Sequence, residues 1–554
     1  MLEISNMQLR IDSIGKTNQS ELHVLTSQAS SALKIPVSQI KEVSIKKKSI
    51  DARKKANLKF IYTLQIELID SQEEDFVIEK ANYRPHKKEL HIGRAKQVKE
   101  SFSAPLASKP RKRPVVVGAG CAGLFAALEL AHGGLEPILI ERGQPAFARQ
   151  QTIDDFLAGA PLDTESNIQF GVGGAGTFSD GKLATGTKSS LHRLILETFV
   201  KSGASPEILY EAKPHIGSDV LPRVVTNICK EIEDLGGQVK TSCKMTDFGF
   251  TDSKKISYVE VEDRSGKTEI IDCDNLILAT GHSARDVFEL LYKKKLSLER
   301  KTFAMGVRIE HLQKDINRAQ YGDKFFEDPR LGAAPYKSVA HLKNGRSAFS
   351  FCMCPGGYVV AATSEENQVV TNGMSYADRA GVNANAGLLS NVCPEDLPGT
   401  SPLAGIELQR QCEKKAFELG GGDYKAPAQL TADFLQNTPS SAGSSRIQPT
   451  YPKGVTWCNV SSCLPDYIAQ ALREAIPMMD RKLKGFAVGD GVITGIESRS
   501  SSPVRLVRTK EMMSVDIDGL WPAGEGAGYA GGIMSAATDG IRVARSLIDS
   551  IGND

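Results

Sequence analysis

Pro114-Val-Val-Val117-Gly118-Ala-Gly120-Cys-Ala-Gly123-Leu-Phe-Ala-Ala-Leu-Glu-Leu-Ala131 is the stretch whose reading decides the fold. A β-branched apolar run feeds a glycine turn, and a helix-favouring segment follows and stops at Gly133-Gly134. A second apolar run, Pro137 to Ile140, ends at Glu141. The pattern predicts a βαβ unit with the G-x-G-x-x-G spacing of a dinucleotide site. Gly118 permits the tight turn, Gly120 lets backbone approach a pyrophosphate, and Gly123 lets helix and strand pack closely. The first helical turn, Cys121 and Ala122 onward, offers free N–H groups to the phosphates. Glu141 lies 23 residues beyond Gly118, where an acid accepts ribose hydroxyls, and Arg142 stands beside it. A bare glycine turn that binds nothing would not need the strand, helix, second strand and acid in this order.

Outward from that unit, 554 residues are too many for one core, and two to four domains are expected. The 41% hydrophobic and 24% charged content is that of a soluble globular chain. Net charge is +2 but unevenly spread, +9 over residues 1–113 and −7 over the rest. Ten scattered cysteines, without C-x-x-C or a metal-ligand spacing, point to a reducing compartment and no metal site. The first residues show no secretory pattern and no apolar run reaches the ~18–20 residues of a membrane span, so a cytoplasmic protein with no membrane partner is expected.

Upstream, residues 1–100 read as a small basic α+β domain with a helix over His23–Leu33 and strands over Ile40–Ile50 and Leu58–Leu68. Lys46 to Lys55 is a basic run. Phosphate contact with a nucleic acid is one reading, and a solvated hairpin tip or interdomain contact is favoured over it, because no aromatics interleave the charges. Residues 101–113 read as a linker.

Downstream, Gly171 to Lys182 carries five glycines within Gly171–Gly181, including Gly173 and Gly174 beside Ala175. Backbone passing close to a flat ligand or a pyrophosphate needs this composition, although a flexible surface loop shares it. Val220–Leu235 has helical spacing, strands follow from Val239 to Cys273 with a hairpin at Asp263–Gly266, and Leu276-Ile-Leu-Ala-Thr280-Gly281-His282 is an apolar strand ending in Ala-Thr-Gly. Residues 114–300 are thus the first part of a nucleotide domain. Residues 301–510 read as an inserted capping domain, with irregular stretches at 372–402 and 437–454 and one good helix near Leu464–Met479. Within it, Cys352-Met-Cys354 is either a redox pair or two buried thiols. Glu497-Ser-Arg499-Ser-Ser-Ser-Pro-Val-Arg505 is either an anion-orienting segment or a solvated loop.

The tail, Asp518 to Ile533, repeats strand, glycine–acid turn (Gly524, Glu525) and helix start (Gly531, Gly532, Ile533), returning 511–554 to the nucleotide domain.

With these stretches in view, the chain resembles the poorly characterised bacterial FAD-dependent dehydrogenases of the glutathione-reductase-like flavoprotein superfamily. The resemblance rests on Ser49–Lys55, Gly118–Gly123, Phe170–Leu183, Pro214–Asp219, Ala279–Asp286, Cys352–Tyr358, Glu497–Arg505 and Pro522–Ile533. Ser500 stands where Thr is expected. The resemblance implies a discontinuous Rossmann-like FAD domain, an inserted α+β capping domain and a small N-terminal α+β domain, with non-covalent FAD and no defined substrate. FAD would meet Gly118, Gly120, Cys121, Ala122, Gly123, Glu141, Arg142, Gly173, Gly174, Ala175, Thr280, Gly281, Gly524, Glu525, Gly531, Gly532 and Ile533. His282 and Glu497 are candidates for proton handling, and Arg499 and Arg505 for a substrate anion. The expected reaction is hydride transfer between a small-molecule carbon and flavin N5, with NAD(P)H or another donor or acceptor as redox partner. The alternative is a flavoprotein that binds or modifies RNA through its N-terminal domain.

Overall fold

The computed structural model describes residues 1–15, 17–82, 90–95, 100–107, 110–441 and 445–552. Parts of the basic domain (16, 83–89, 96–99), of the linker (108–109), of the 437–454 stretch (442–444) and the last two residues lie outside the described residues. Two compact units are present.

The smaller unit contains Met1–Glu100 together with Ser205–Pro214 and Asn317–Ala334. Its four-stranded antiparallel sheet runs in the order Ile40–Asp51, Lys59–Leu68, Leu2–Arg10, His91–Arg94. Lys59–Leu68 buries every second residue, as its alternating sequence dictates. The helix Asn18–Leu33 starts five residues before the sequence-based boundary, because Thr17 and Ser20 close a capping box there. Of the basic run, Lys46 pairs with Glu3, Lys48 with Glu21 and Arg53 with Asp51.

The larger unit contains Ser101–Ala204, His215–Ile316 and Pro335–Asp554. Its five-stranded sheet is parallel throughout, ordered Leu520–Pro522, Leu276–Leu278, Val115–Val117, Ile138–Ile140, Gln238–Lys240. The tail strand therefore lies at the edge, beside the strand that ends in Ala-Thr-Gly. Such strands are apolar on both faces, and Val115–Val117, Ile138–Ile140 and Leu276–Leu278 are buried throughout. The helices Cys121–His132 and Ile533–Gly552 pack on each other. A three-stranded antiparallel meander (Cys243–Phe250, Ile256–Asp263, Thr268–Asp272) follows the sheet's last strand, with its second hairpin at the expected turn.

The capping part is a seven-stranded mixed sheet ordered Val339–His341, Ser347–Cys354, Asn383–Val392, Phe303–Leu312, Val492–Glu497, Ala426–Leu430, Val455–Trp457. Asn383–Val392 falls inside a stretch read from sequence as irregular. It is instead an interior strand, buried at nine of ten positions, and burial on both faces erases the two-residue alternation that announces a strand. Among the described residues no helix is long and apolar enough to cross a membrane.

A buried charge cluster links the helix after the Ala-Thr-Gly strand to the capping sheet. Glu413, on the helix Ala404–Gly420, accepts from Arg285 at 2.7 and 2.9 Å and from Arg499 at 2.8 and 3.1 Å. Burial works against its charge, but the two guanidiniums hold its carboxyl well below the usual range. Glu413→Gln leaves two buried cations undercompensated, and a loss of about 3 kcal/mol is expected. Equilibrium urea unfolding of the variant against the parent measures it, and an unchanged midpoint would refute the assignment.

Candidate functional site

Four backbone segments meet at the C-terminal edge of the parallel sheet. The first is the early glycine turn. Gly118 adopts φ +100°, and a Cβ there would lie 2.4 Å from the carbonyl of Ala279, so only glycine fits. Gly120 caps the helix Cys121–His132 without a side-chain bond.

The second is the Gly171–Lys182 loop, packed directly on the first. Gly173 N donates to Ala119 O at 2.8 Å, and a Cβ on Gly174 would come within 3.0 Å of Gly120 Cα. Glu141 ties the two together. Its Oε2 accepts from Ala119 N at 2.8 Å, and its Oε1 accepts from Gly143 N and Gly171 N, both at 2.9 Å. Oε2 keeps capacity for one more donor.

The loop's carbonyls are taken by Arg149, a buried residue on the helix Ala146–Leu157. Its guanidinium donates to the carbonyls of Asn167, Ile168, Gly171, Val172 and Gly174, and it lies over the Phe178 ring. Burial pushes it down to about 9, with the charge of Glu141 opposing. Sequence reasoning missed Arg149, since a charged residue on an amphipathic helix carries no local mark of being buried.

The third segment is Ala279-Thr280-Gly281, and the fourth is the tail turn. A Cβ on Gly526 would lie 2.5 Å from Gly281 O, and one on Gly524 would lie 2.7 Å from the Ala122 side chain. Gly524 N donates to Asp539 at 2.7 Å, and Arg508 holds Asp539 through two bonds of 2.6 and 3.0 Å. Both were also missed. Gly176 brings the loop against Ile533 and Cys121, with Ala175 alongside; burial pushes the Cys121 thiol up to about 12. By contrast, Gly281, Gly531 and Gly532 face open space. The four segments therefore line one cradle, with these three glycines on its open side.

A cavity of about 400 Å³ adjoins this cradle, lined by Thr185–Thr187, Lys301, Gly528–Gly531 and Ser535. Lys301 is half-buried, which lowers its ammonium pKa. Arg505 flanks the cavity behind Gly528, with its Nε buried and without a hydrogen-bond partner. His282 Nε2 donates to Arg499 O at 3.0 Å, and its Nδ1 lies 3.8 Å from Glu525. Burial lowers His282 to about 4 and raises Glu525 to about 7, with Lys301 opposing the latter.

Three predicted residues are engaged within the framework. Arg142 is held by Glu165 at 2.7 Å and Asp286 at 3.0 Å and lies over Phe170. Arg499 belongs to the Glu413 cluster and is buried, so its charge is already matched and does not face a substrate. Glu497 is buried and bonded to Arg308 at 2.6 and 3.1 Å, which removes it from the cavity's proton-handling groups.

Comparison with known proteins adds three family-level matches. Residues 302–500 match a model described as "FAD-dependent protein, C-terminal domain-like", residues 112–303 one for "Pyridine nucleotide-disulphide oxidoreductase", and residues 1–67 a domain of unknown function. An uncharacterised protein of Clostridium beijerinckii is 44% identical over 98% of this chain and 99% of its own length. Among solved structures, glycerol-3-phosphate dehydrogenase from Bacillus halodurans, complexed with FAD, is 12% identical with a TM-score of 0.36; 80% of this chain covers 65% of that one. A geranylgeranyl bacteriochlorophyll reductase-like protein from Thermoplasma acidophilum is 12% identical with a TM-score of 0.36, covering 80% of each chain.

Glu525 yields a test that needs no ligand. A carboxyl held above its unfolded value of 4.5 favours the folded state in acid, and that contribution is lost as pH rises towards about 7. Glu525→Gln should therefore flatten the fall in stability between pH 5 and 8 relative to the parent, as read from urea midpoints at both values. An identical fall in both proteins would show that Glu525 titrates normally.

Proposed function

The chain belongs to the family of bacterial FAD-dependent dehydrogenases, and from that premise we propose that it moves a hydride between a carbon of a small anionic molecule and the cofactor, in the cavity beside Lys301. It is an oxidoreductase and FAD is its cofactor. One observation carries the reading: the early turn, the glycine loop, the Ala-Thr-Gly end and the tail turn converge on a single cradle that Gly281, Gly531 and Gly532 leave open.

The residues present fit FAD. The uncapped helix at Gly120 would receive the pyrophosphate and Glu141 Oε2 a ribose hydroxyl. When bound, FAD supplies two-electron hydride chemistry at N5. The positive end of the helix Ile533–Gly552 favours negative charge on whatever faces Gly531 and Gly532. Lys301, with Arg505 behind it, holds the anionic end of the substrate. Because His282 is neutral and gives its Nε2 proton to a carbonyl, its bare Nδ1 can accept a proton, and Glu525 beside it can supply one. No observation favours RNA binding through residues 46–55, where Lys46, Lys48 and Arg53 are each paired with an acid.

Two measurements test this. Glu141→Gln replaces one acceptor oxygen with a donor facing backbone N–H groups, and FAD should bind about 10–100-fold more weakly, as a charged hydrogen bond is worth about 1.5–3 kcal/mol. Fluorescence titration of the apoprotein with FAD reads this directly, and unchanged affinity would count against the Glu141 assignment. Separately, anaerobic addition of NADH, NADPH and small carboxylate or phosphate-bearing reductants should bleach the visible flavin band with at least one compound. Lys301→Met should slow that bleaching about 10-fold or more. Purified protein without flavin would overturn the proposal, as would bleaching indifferent to Lys301.

A further inference from the structure

The stretch Ala184–Ser190 joins the glycine loop to the helix Leu191–Lys201 without regular structure, and it runs beside the tail helix Ile533–Gly552. At one end Ser189 Oγ accepts from Arg542 at 3.5 Å; at the other, Thr185 and Thr187 share the cavity wall with Ser535. Ser535 and Arg542 are seven residues apart, about two turns, so they lie on the same side of that helix. Stretch and helix therefore bring hydroxyl groups to one cavity from two directions.

The capacity each hydroxyl has left follows from its partners. Ser535 Oγ accepts from Gly531 N at 3.1 Å and donates to Gly532 O at 3.0 Å. Its proton is engaged and one lone pair remains, so it takes a donor from the cavity. Thr185 Oγ1 accepts from Thr187 N at 3.2 Å and shares a hydrogen bond with Thr187 Oγ1 at 3.0 Å, which in turn meets His192 Nε2 at 3.3 Å. Burial and the charge of Arg542 lower the His192 pKa, so the ring is neutral at neutral pH. With Nε2 donating, the protons point along the row and Thr185 is left a donor. With Nε2 accepting, they turn back and Thr185 is left an acceptor. Such a row suits a group that can both donate and accept, as a hydroxyl does and an anion does not.

Charge is scarcer than hydroxyls here. Among the described residues that line the cavity, Lys301 carries the only charge. The guanidinium of Arg505 lies 3.7 Å from Glu299, its partner on the neighbouring strand, which offsets it. The ring of Tyr529 is flanked by the guanidiniums of Arg508 at 3.8 Å and Arg505 at 5.6 Å, so it offers a ligand little bare apolar surface.

We propose that the substrate held at Lys301 is a polyhydroxylated monoanion of the sugar-acid class, its carboxylate paired with Lys301 and its hydroxyls bonded to Thr185 and Ser535. This deepens the hydride-transfer proposal and rests on it. A simple alkanoate satisfies Lys301 but leaves both hydroxyls to water, and a dianion sets its second charge against a lining that holds one ammonium.

The holoenzyme, titrated anaerobically with two matched pairs of acids, tests this: glycerate against propionate, and gluconate against hexanoate. Within a pair the charge and carbon chain are the same and only the hydroxyls differ. Binding is read from the change in the flavin's visible spectrum and from the rise in melting temperature that a ligand of the folded chain produces. At least one hydroxylated acid should bind about 10-fold more tightly than its partner, since two hydrogen bonds are gained. Thr185→Val should reduce that advantage, and Thr185→Val with Ser535→Ala should abolish it, while propionate and hexanoate bind as before. Lys301→Met should weaken both members of a pair. Equal affinities within both pairs would overturn the proposal, and so would an advantage that survives in the double variant. Inorganic phosphate binding more tightly than either hydroxylated acid would overturn the single-charge assignment. Flavin content and unliganded melting temperature show whether each variant is folded. If the double variant is not, an undiminished advantage in Thr185→Val overturns the proposal; if neither is, the wild-type ratios decide. A chain purified without flavin refutes the cofactor reading, whereas a yellow chain indifferent to the hydroxyls refutes only the substrate class.

Discussion

One carboxylate ties the early glycine turn to the glycine loop. Glu141 accepts from Ala119 in the early turn, Gly143 beside itself and Gly171 in the glycine loop. A loop so poor in side chains cannot be positioned by packing, so its backbone polar groups must do it. Each such group is costly to bury unpaired. Glu141 takes the N–H of Gly171 and Arg149 takes its C=O, so an acid and a base grip opposite ends of the same residue's polar groups. Bonds to ionised partners are roughly twice as strong as neutral ones. The loop's shape is therefore set by the chain itself, which lowers the ordering cost that a ligand would otherwise have to offset.

The tail is fixed on the same principle. Asp539 accepts from Gly524 N and is itself held by Arg508, whose guanidinium also donates to Pro522 O and lies over the Tyr529 ring. The Glu413 cluster fastens the helix Arg285–Lys293 to the capping helix Ala404–Gly420 in like manner. Buried ion pairs are a weak source of net stability, because desolvation offsets most of the attraction. Their value here is geometric: bidentate guanidinium–carboxylate contacts admit few alternative alignments.

This division explains what could be read in the sequence. The βαβ unit, the Ala-Thr-Gly strand and the tail turn were legible, since glycine spacing and apolar runs are local marks of backbone geometry. The cross-ties were not. Arg499 meets Glu413 across 86 residues and Arg149 meets the glycine loop through carbonyls, which no composition reveals. Arg499 consequently reads as an exposed anion-binder, and Glu497 as a proton carrier, until the partners of each are seen. Asn383–Val392 stayed hidden because its neighbours cover both faces, and because asparagine and glycine ordinarily mark loops.

The framework and the reacting side differ in one further respect. Around the cofactor cradle, the polar atoms of Glu141, Arg149, Arg508 and Asp539 are matched by partners within the chain. Lys182 Nζ, at the end of the glycine loop and 3.7 Å from Asp180, and Arg505 Nε, behind the cavity, are buried without hydrogen-bond partners. An unsatisfied buried donor costs about 1–3 kcal/mol. Arg285 Nε, inside the Glu413 cluster, carries the same cost. The glycine loop and the tail turn are nonetheless positioned by charges paired within the chain, and such preorganisation is what a site that acts on developing charge requires.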